Sequence, residues 1–315
     1  MNRDQNHSQR AKLVSTLVDD TKMSEFEALD KFLQANWAET VTRGLPYRYD
    51  HVGDLWWGIY TARHFDPSAE LKVWKNGAGE IAAFALVESD LMTTQIGLHY
   101  RDDAGLVDEI VAWGMDKVAR NGKESLWMKA FEHDDVMTEA LINRGFERDP
   151  DGFYTNFHQR SLLDPLPDYP VKDGWSVRNV FLEHEMAERV DVHRDAFAPS
   201  RMTLELYRRI RNAPRYNPGL DLVLVTPQNT FAAFCICWLD RENKVGEFEP
   251  VGVREAHQGK GFARQVMAEG LRRLKARGAE TAIVYSTSGN PAATRVYESL
   301  GMAVVDRAWL YGKKV

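Results

Sequence analysis

Hydrophobic and polar residues in the C-terminal half follow two periods. Short apolar runs that alternate with polar residues are typical of half-buried strands, and apolar residues three and four positions apart are typical of amphipathic helices. Gly278 and Gly301 follow periodic segments and mark helix ends. The pattern predicts strands at 175–180, 220–225, 231–239, 246–253, 281–286 and up to 311, and helices at 183–197, 203–211, 262–277 and 291–300.

The N-terminal half repeats this order. Residues 122–128 resemble 278–284, and in the same register Gly145 corresponds to Gly301. Further upstream, 81–86 resembles 231–236. Between the copies, three prolines within 163–170 remove backbone donors and exclude a helix interior. We therefore expect a first domain over 1–162, a linker over 163–172 and a second domain over 173–315.

Length and composition agree with this division. A chain of 315 residues is long for a single core, and 44% apolar with 27% charged residues is ordinary globular usage. The net charge of -6, with basic residues dispersed among acids, argues against a nucleic-acid partner. It favours a small-molecule substrate, and cationic molecules are among those that fit. The polar N-terminus and the lack of a long apolar run predict a soluble, cytoplasmic protein without a membrane partner.

Cysteine and histidine give no sign of a metal site. Cys235 and Cys237 are two residues apart on a predicted strand, so they point the same way and are expected to be reduced core residues. His184, His193 and His257 do not have the spacing of metal ligands. No metal is predicted.

The strongest chemical signal is the run Gln258, Gly259, Lys260, Gly261, Phe262, Ala263, between a predicted strand and a predicted helix. Its glycines allow close approach of the backbone, and free amides at a helix start attract a pyrophosphate. Lys260 is misplaced for a phosphate-binding P-loop. Taken alone, the run fits an ordinary glycine turn equally well.

A second motif begins the next predicted helix. Asn290 and Pro291 suit the N-cap and first helical positions, and Ala293 and Tyr297 follow on one helix face. Alone, this pattern also describes a capped helix whose tyrosine packs in the core.

Together, the two motifs resemble those of the GNAT superfamily of N-acetyltransferases, over residues 175–315. Ala263 and Met302 depart from the commonest family residues without removing the pattern. The resemblance implies two tandem GNAT-like domains of the α/β (α+β) class, each a mixed, mostly antiparallel sheet flanked by helices. It also implies acetyl-CoA as cosubstrate, bound by Val251, Gly252, Val253, Gln258, Gly259, Lys260, Gly261, Phe262, Ala263, Arg264, Asn290 and Ala293.

By the same resemblance Tyr297 would protonate the departing thiolate, a role suited to a phenol that is protonated at neutral pH. An attacking amine must also lose a proton. Glu247 and Glu249 share a strand face with Val251 and Val253 by the period of two, so either is a candidate general base. Glu249, nearer the cofactor end of the strand, is favoured.

The first copy lacks these features. Its loop, 100–106, contains Asp102 and Asp103 without the glycine pair, and Asp134 and Leu141 stand where the second copy has Asn290 and Tyr297. We expect a degenerate domain that covers the catalytic copy and shapes the acceptor pocket, as in tandem GNAT proteins such as the mycothiol synthase-like acetyltransferases. The aromatic segment 54–60 is interpreted as core or interdomain packing.

The sequence therefore predicts transfer of an acetyl group from acetyl-CoA to a primary amine of a small molecule, by direct attack. A non-catalytic CoA-binding regulatory module is the alternative of a different class. Transfer of another acyl group, or transfer to a hydroxyl or thiol, also fits the motifs. The acceptor and the oligomeric state leave no recognisable pattern.

Overall fold

The computed structural model describes residues 13–17, 23–45, 49–61 and 67–315. Internal contacts divide them into two compact units. The first contains the described residues up to Tyr49, those from 67 to Gly152, and Trp309–Val315; the second contains 50–61 and Phe153–Ala308. The elements in chain order are β1 (Val14–Leu17), α1 (Met23–Thr42), α2 (Val52–Thr61), α3 (Pro67–Glu70), β2 (Leu71–Lys75), β3 (Ile81–Glu88), β4 (Leu91–Ile96), α4 (Ala104–Arg120), β5 (Ser125–Phe131), α5 (Asp135–Ile142), β6 (Glu147–Arg148), β7 (Tyr154–Ser161), β8 (Ser176–Asn179), α6 (Glu185–Ala196), α7 (Leu204–Arg211), β9 (Asp221–Val225), β10 (Phe231–Asp240), β11 (Val245–Val253), α8 (Phe262–Ala276), β12 (Thr281–Thr287), α9 (Pro291–Ser299) and β13 (Ala303–Lys314).

In the first unit, β1, β2, β3 and β4 form an antiparallel series, and β4 pairs with β5 in parallel. The short β6 pairs with the end of β13. Helix α4 contacts β3 and β5 and buries apolar residues that recur at helical spacing, including Leu106, Ile110 and Val118. Leu141, on α5, is fully buried in the same core.

In the second unit, β8, β9, β10 and β11 are antiparallel neighbours, β11 pairs with β12 in parallel, and β12 pairs with β7 in an antiparallel register. Helix α8 packs on β10 and β11. Gly270 permits this close approach, because a Cβ there would lie 2.5 Å from the Phe248 ring. Each unit is thus a mixed, mostly antiparallel sheet with helices, which confirms the predicted fold class.

The elements predicted for 175–311 are all present, with ends shifted by a few residues. The apolar positions that predicted α8, namely Phe262, Val266, Met267, Leu271 and Leu274, are buried. Cys235 and Cys237 are buried free cysteines, which confirms their interpretation as reduced core residues.

The predicted domain division remains a prediction, and the contacts group the chain differently. Strand β7, at the end of the first copy, pairs with β12 from Thr155↔Thr287 to Ser161↔Thr281. Helix α2 also belongs to the second unit, whereas the end of β13 belongs to the first. Residues 163–172 contain no helix or strand in this described part of the chain, and Leu166 and Tyr169 pack against the core of the second unit.

Candidate active site

A gap opens in the sheet of the second unit where β11 and β12 separate. Their parallel register begins at Val245↔Thr281 and, within the described strands, ends at Glu247↔Ile283. Beyond that point β11 continues to Val253 alongside β10, while β12 continues to Thr287 alongside β7. Backbone groups of β11 past Glu247 therefore face the gap without a β12 partner.

A β-bulge in β11 lies at the same point. Phe248 is opposite Cys237 and Val251 is opposite Cys235, so two residues of β11 span the interval that one residue spans on β10. The bulge shifts the alternation of side chains. Glu247, opposite Trp238, consequently lies on the other face from Val251 and Val253, and the expectation that these residues share a face was wrong for Glu247.

A cavity of about 480 Å³ occupies this region. Of the predicted cofactor residues all but Lys260 line it: Val251, Gly252, Val253, Gln258, Gly259, Gly261, Phe262, Ala263, Arg264, Asn290 and Ala293. Lys260 instead donates from Nζ to the Ala256 carbonyl at 2.7 Å. His257, which was not among the predicted cofactor residues, is half-buried and lines the cavity too.

The loop before α8 has the geometry of an anion site. Gly259 and Gly261 have φ of 73° and 84°, a left-handed conformation that favours glycine. Gly261 is the N-cap of α8 and provides no side-chain cap, so the amides of the first helical turn are open to the cavity. Arg264 lies close to Gly261 and adds positive charge. These features fit a pyrophosphate group.

Helix α9 forms another wall of the cavity. The Asn290 side chain accepts a hydrogen bond from the Ala293 amide at 3.1 Å, as the capping pattern predicted. Tyr297, two turns along, lines the cavity and is only 6% exposed. Burial, together with the charge of Glu249, raises the pKa of Tyr297, so the phenol keeps its proton at neutral pH. The His158 ring packs edge-on to it, with 5.3 Å between ring centroids.

On the other sheet face, a buried acidic cluster surrounds Glu247, which has no exposed surface. Its Oε2 lies 2.9 Å from His51 Nδ1, and Nδ1 also accepts a hydrogen bond from the Gly53 amide at 3.0 Å. Burial raises the pKa of Glu247 to about 8, and the charges of Glu249 and Asp50 add to that rise. Burial also raises the pKa of Asp54, whereas it lowers that of His51.

Sequence reasoning missed His51 and Asp54. They belong to the N-terminal copy and meet Glu247 across almost two hundred residues of chain. The only local signal is the acid- and histidine-containing run 50–54 directly before an aromatic helix. Glu249 is half-buried on the bulge, and its charge acts on both Tyr297 and Glu247.

Comparisons with known proteins identify the fold around this site. The model of the acetyltransferase (GNAT) family matches residues 186–302, which include the loop before α8, Asn290 and Tyr297. A mycothiol acetyltransferase of Thermobispora bispora is 26% identical over 257 residues, covering 77% of this chain and 83% of the relative.

Solved structures with similar folds cover nearly the whole chain. A GCN5-related N-acetyltransferase from Sphaerobacter thermophilus superposes with a TM-score of 0.65 at 17% identity, covering 96% of this chain and 95% of its own. A tandem GNAT protein from the clavulanic acid biosynthesis pathway gives a TM-score of 0.67 at 13% identity, covering 96% and 98%. At these identities the likeness shows a tandem GNAT-like fold.

No helix among the described residues has the length and apolar character needed to cross a membrane. Nor do three or more His, Cys, Asp or Glu side chains of the described chain come together in a group suited to a metal ion.

Proposed function

Because residues 186–302 belong to the acetyltransferase (GNAT) family, we propose that the second unit transfers an acetyl group from acetyl-CoA to a primary amine of a small molecule by direct attack. The observation that carries the proposal is the cavity at the gap between β11 and β12. Open helix amides line one part of this cavity, and a protonated phenol lines another.

The chain offers matching groups for each part of the cosubstrate. The amides at the start of α8, with Arg264, suit the pyrophosphate. The backbone of Val251 and Val253, which has no partner on β12, suits the amide-containing pantetheine arm. Gly252 keeps β11 close to its neighbours, since a Cβ there would lie 2.5 Å from the Phe234 ring. Bound acetyl-CoA supplies the thioester that the amine attacks.

Tyr297 donates the proton that the leaving sulfur requires. Its hydroxyl belongs to a side chain that lines the cavity, and burial disfavours the phenolate, so a proton is available throughout the neutral range. Donation to the sulfur leaves a phenolate that solvent reprotonates after the thiol departs.

Glu247 accepts the proton of the attacking amine through water, because its carboxyl is fully buried and does not line the cavity, with Glu249 as the second candidate. A carboxyl whose pKa lies near 8 is matched to proton transfer close to neutral pH, whereas an unperturbed carboxylate is a weak base. His51 holds one oxygen of Glu247, the arrangement expected of a base that is oriented by a neighbouring group. This choice replaces the sequence-based preference for Glu249.

The acceptor is proposed to be a small cationic amine. The net charge of -6 favours a cationic partner, and the similar proteins named mycothiol acetyltransferases make aminosugar thiols the first acceptors to examine. Polyamines, aminoglycosides and amino acids complete a suitable panel.

The test combines binding with turnover. Calorimetry should show saturable binding of acetyl-CoA, and free-thiol release should become amine-dependent with at least one acceptor of the panel. Absence of acetyl-CoA binding by well-folded protein would refute the proposal. Binding without amine-dependent release across the panel would favour the non-catalytic CoA-binding module instead.

A further inference from the structure

The start of α2, which lies in the first copy by sequence, meets Glu247 inside the second unit. Gly53 makes this contact possible: a Cβ at that position would overlap Glu247 Oε2 and lie 2.7 Å from Trp238 Cβ. By contrast, a Cβ on Gly58, one and a half turns further along α2, would meet nothing within 4 Å. Close packing of α2 against Glu247 therefore requires glycine at position 53 but not at position 58.

The hydrogen bonds around His51 define where its proton lies. The Gly53 amide donates to Nδ1, so Nδ1 acts as an acceptor. Nε2 faces the Val245 carbonyl at 3.3 Å and carries the hydrogen of the neutral ring. The single lone pair of Nδ1 is thus occupied, so the ring gives no hydrogen to Glu247 Oε2, which lies 2.9 Å away. Asp54 instead hydrogen-bonds Glu247 through its side chain and its backbone.

The other carboxyl oxygen is in a different situation. Among the described residues, Glu247 Oε1 has no hydrogen-bond partner although it is buried. An unsatisfied buried carboxyl oxygen is destabilising, and a purely structural glutamate would be expected to have both oxygens bonded. Oε1 is thus the oxygen of the Glu247 carboxylate with capacity to receive a proton.

We propose that His51, supplied by the first copy, is a positioning residue for the acyl transfer: it packs against Oε2 and so fixes the Glu247 carboxylate, which receives the proton of the acceptor amine on Oε1 through water. This inference rests on the proposed function of the second unit. It gives segment 50–61 a role that the aromatic character of α2 does not suggest.

Glu247 and Tyr297 together account for the protons that move in the transfer. As the amine nitrogen bonds to the acetyl carbon, its proton moves through water to Oε1 of the Glu247 carboxylate. The carbon–sulfur bond breaks, and the Tyr297 proton goes to the sulfur. Glu247 then returns one proton to solvent, and the tyrosine regains one from solvent.

Charged neighbours act on both members of the Glu247–His51 pair. Asp240 and Asp54 favour the protonated ring of His51, and Arg215 opposes it. The titratable groups that face Glu247 are Asp54 and Asp50 from the segment around α2 and Glu249 from its own strand. Burial outweighs these carboxyl groups and lowers the pKa of His51, so the ring stays neutral beside Glu247.

The decisive variant is His51→Asn. Asparagine can donate its amide hydrogen to Oε2, which Nδ1 does not, so it favours the Glu247 carboxylate and makes that carboxylate a weaker base. The protonated-carboxyl infrared band of Glu247, assigned with Glu247→Gln, should titrate at lower pH in His51→Asn than in wild type. The rising limb of kcat against pH should move the same way, and kcat should fall about tenfold or more with KM for acetyl-CoA unchanged.

Two controls separate this role from a loss of packing. His184→Asn changes an exposed histidine and should leave the titration and kcat unaltered. Gly53→Ala should disturb the Glu247 titration, whereas Gly58→Ala on the same helix should not.

The outcomes distinguish this inference from the proposed function. An unchanged titration and pH profile in His51→Asn, in protein that still binds and uses acetyl-CoA, would overturn the role of His51 alone. Failure of wild type to bind acetyl-CoA would overturn the proposed function, and the catalytic role of His51 with it.

Discussion

The helix starts of α8 and α4 occupy corresponding positions in the two copies and differ in what meets their free amides. At α8, Gly261 leaves the amides open beside the cavity. At α4, the Asp103 side chain accepts from the Leu106 amide at 3.2 Å and caps the helix from within. The same scaffold therefore either offers a helix terminus to a ligand or satisfies it with its own carboxylate.

The second motif differs in the same sense. Asp134, in place of Asn290, caps α5 by accepting from the Met137 amide at 3.1 Å and forms an ion pair with Arg101 from the loop before α4. Leu141, in place of Tyr297, is buried in an apolar core. The first unit thus satisfies internally the polar groups that the second unit presents to its cavity, which supports the prediction of a copy without cofactor binding.

The largest effect is expected when the phenol is removed from the second unit. Tyr297→Phe should lower kcat about 100-fold, because the leaving sulfur loses its proton donor, while affinity for acetyl-CoA changes little. Steady-state kinetics and calorimetry measure the two quantities. Tyr100→Phe in the first unit is the control and should leave both unchanged; an equal loss in the two variants would contradict the comparison.

Copying the first unit's carboxylate into the second should weaken cofactor binding. Gly261→Asp places a negative charge at the pyrophosphate cradle and a side chain at a φ of 84°, and acetyl-CoA affinity should fall about tenfold or more. Gly278→Asp is matched for strain, with a φ of 92° just past the other end of α8. It should lose similar stability, about 1 kcal/mol, and keep its affinity. Equal affinities in both variants would argue against the cradle.

The dependence on pH tests Glu247. Folding raises its pKa from 4.5 to about 8, so the stabilisation present below 4.5 is lost as the pH rises towards 8, and turnover rises over the upper part of that range as the carboxylate forms. Glu247→Gln should lack both trends, since its amide mimics the protonated carboxyl. Denaturant titrations and rate profiles would show this, and exposed Glu242→Gln should follow wild type.

The smallest effect is expected in the first unit. Asp103→Ala removes the cap of α4 and should lower the free energy of unfolding by about 1 kcal/mol. Acetyl-CoA affinity and kcat should not change, because this helix start is not part of the cavity. A marked change in affinity measured by calorimetry would mean that the two loops are not independent.

Local patterns explain what the sequence could predict. The open loop, α8 and the Asn290 cap depend on residues a few positions apart, so spacing alone located them. The period-two reading of β11 failed at Glu247 because a bulge shifts the alternation there, and bulges depend on how the neighbouring strand pairs. The contact between His51 and Glu247 joins distant parts of the chain, and no local pattern encodes it.

The pairing of β7 with β12 makes the two halves of the gene product inseparable. A protease cut or an expression boundary placed between 163 and 172 would put these partner strands on different polypeptides. Each fragment would then display unpaired backbone groups on a long strand, the kind of surface that recruits other chains into aggregates. Co-expressed halves are expected to stay soluble only if they associate and re-form the β7–β12 pairing. The hydrogen bonds between these two strands therefore keep the duplicated copies on one polypeptide.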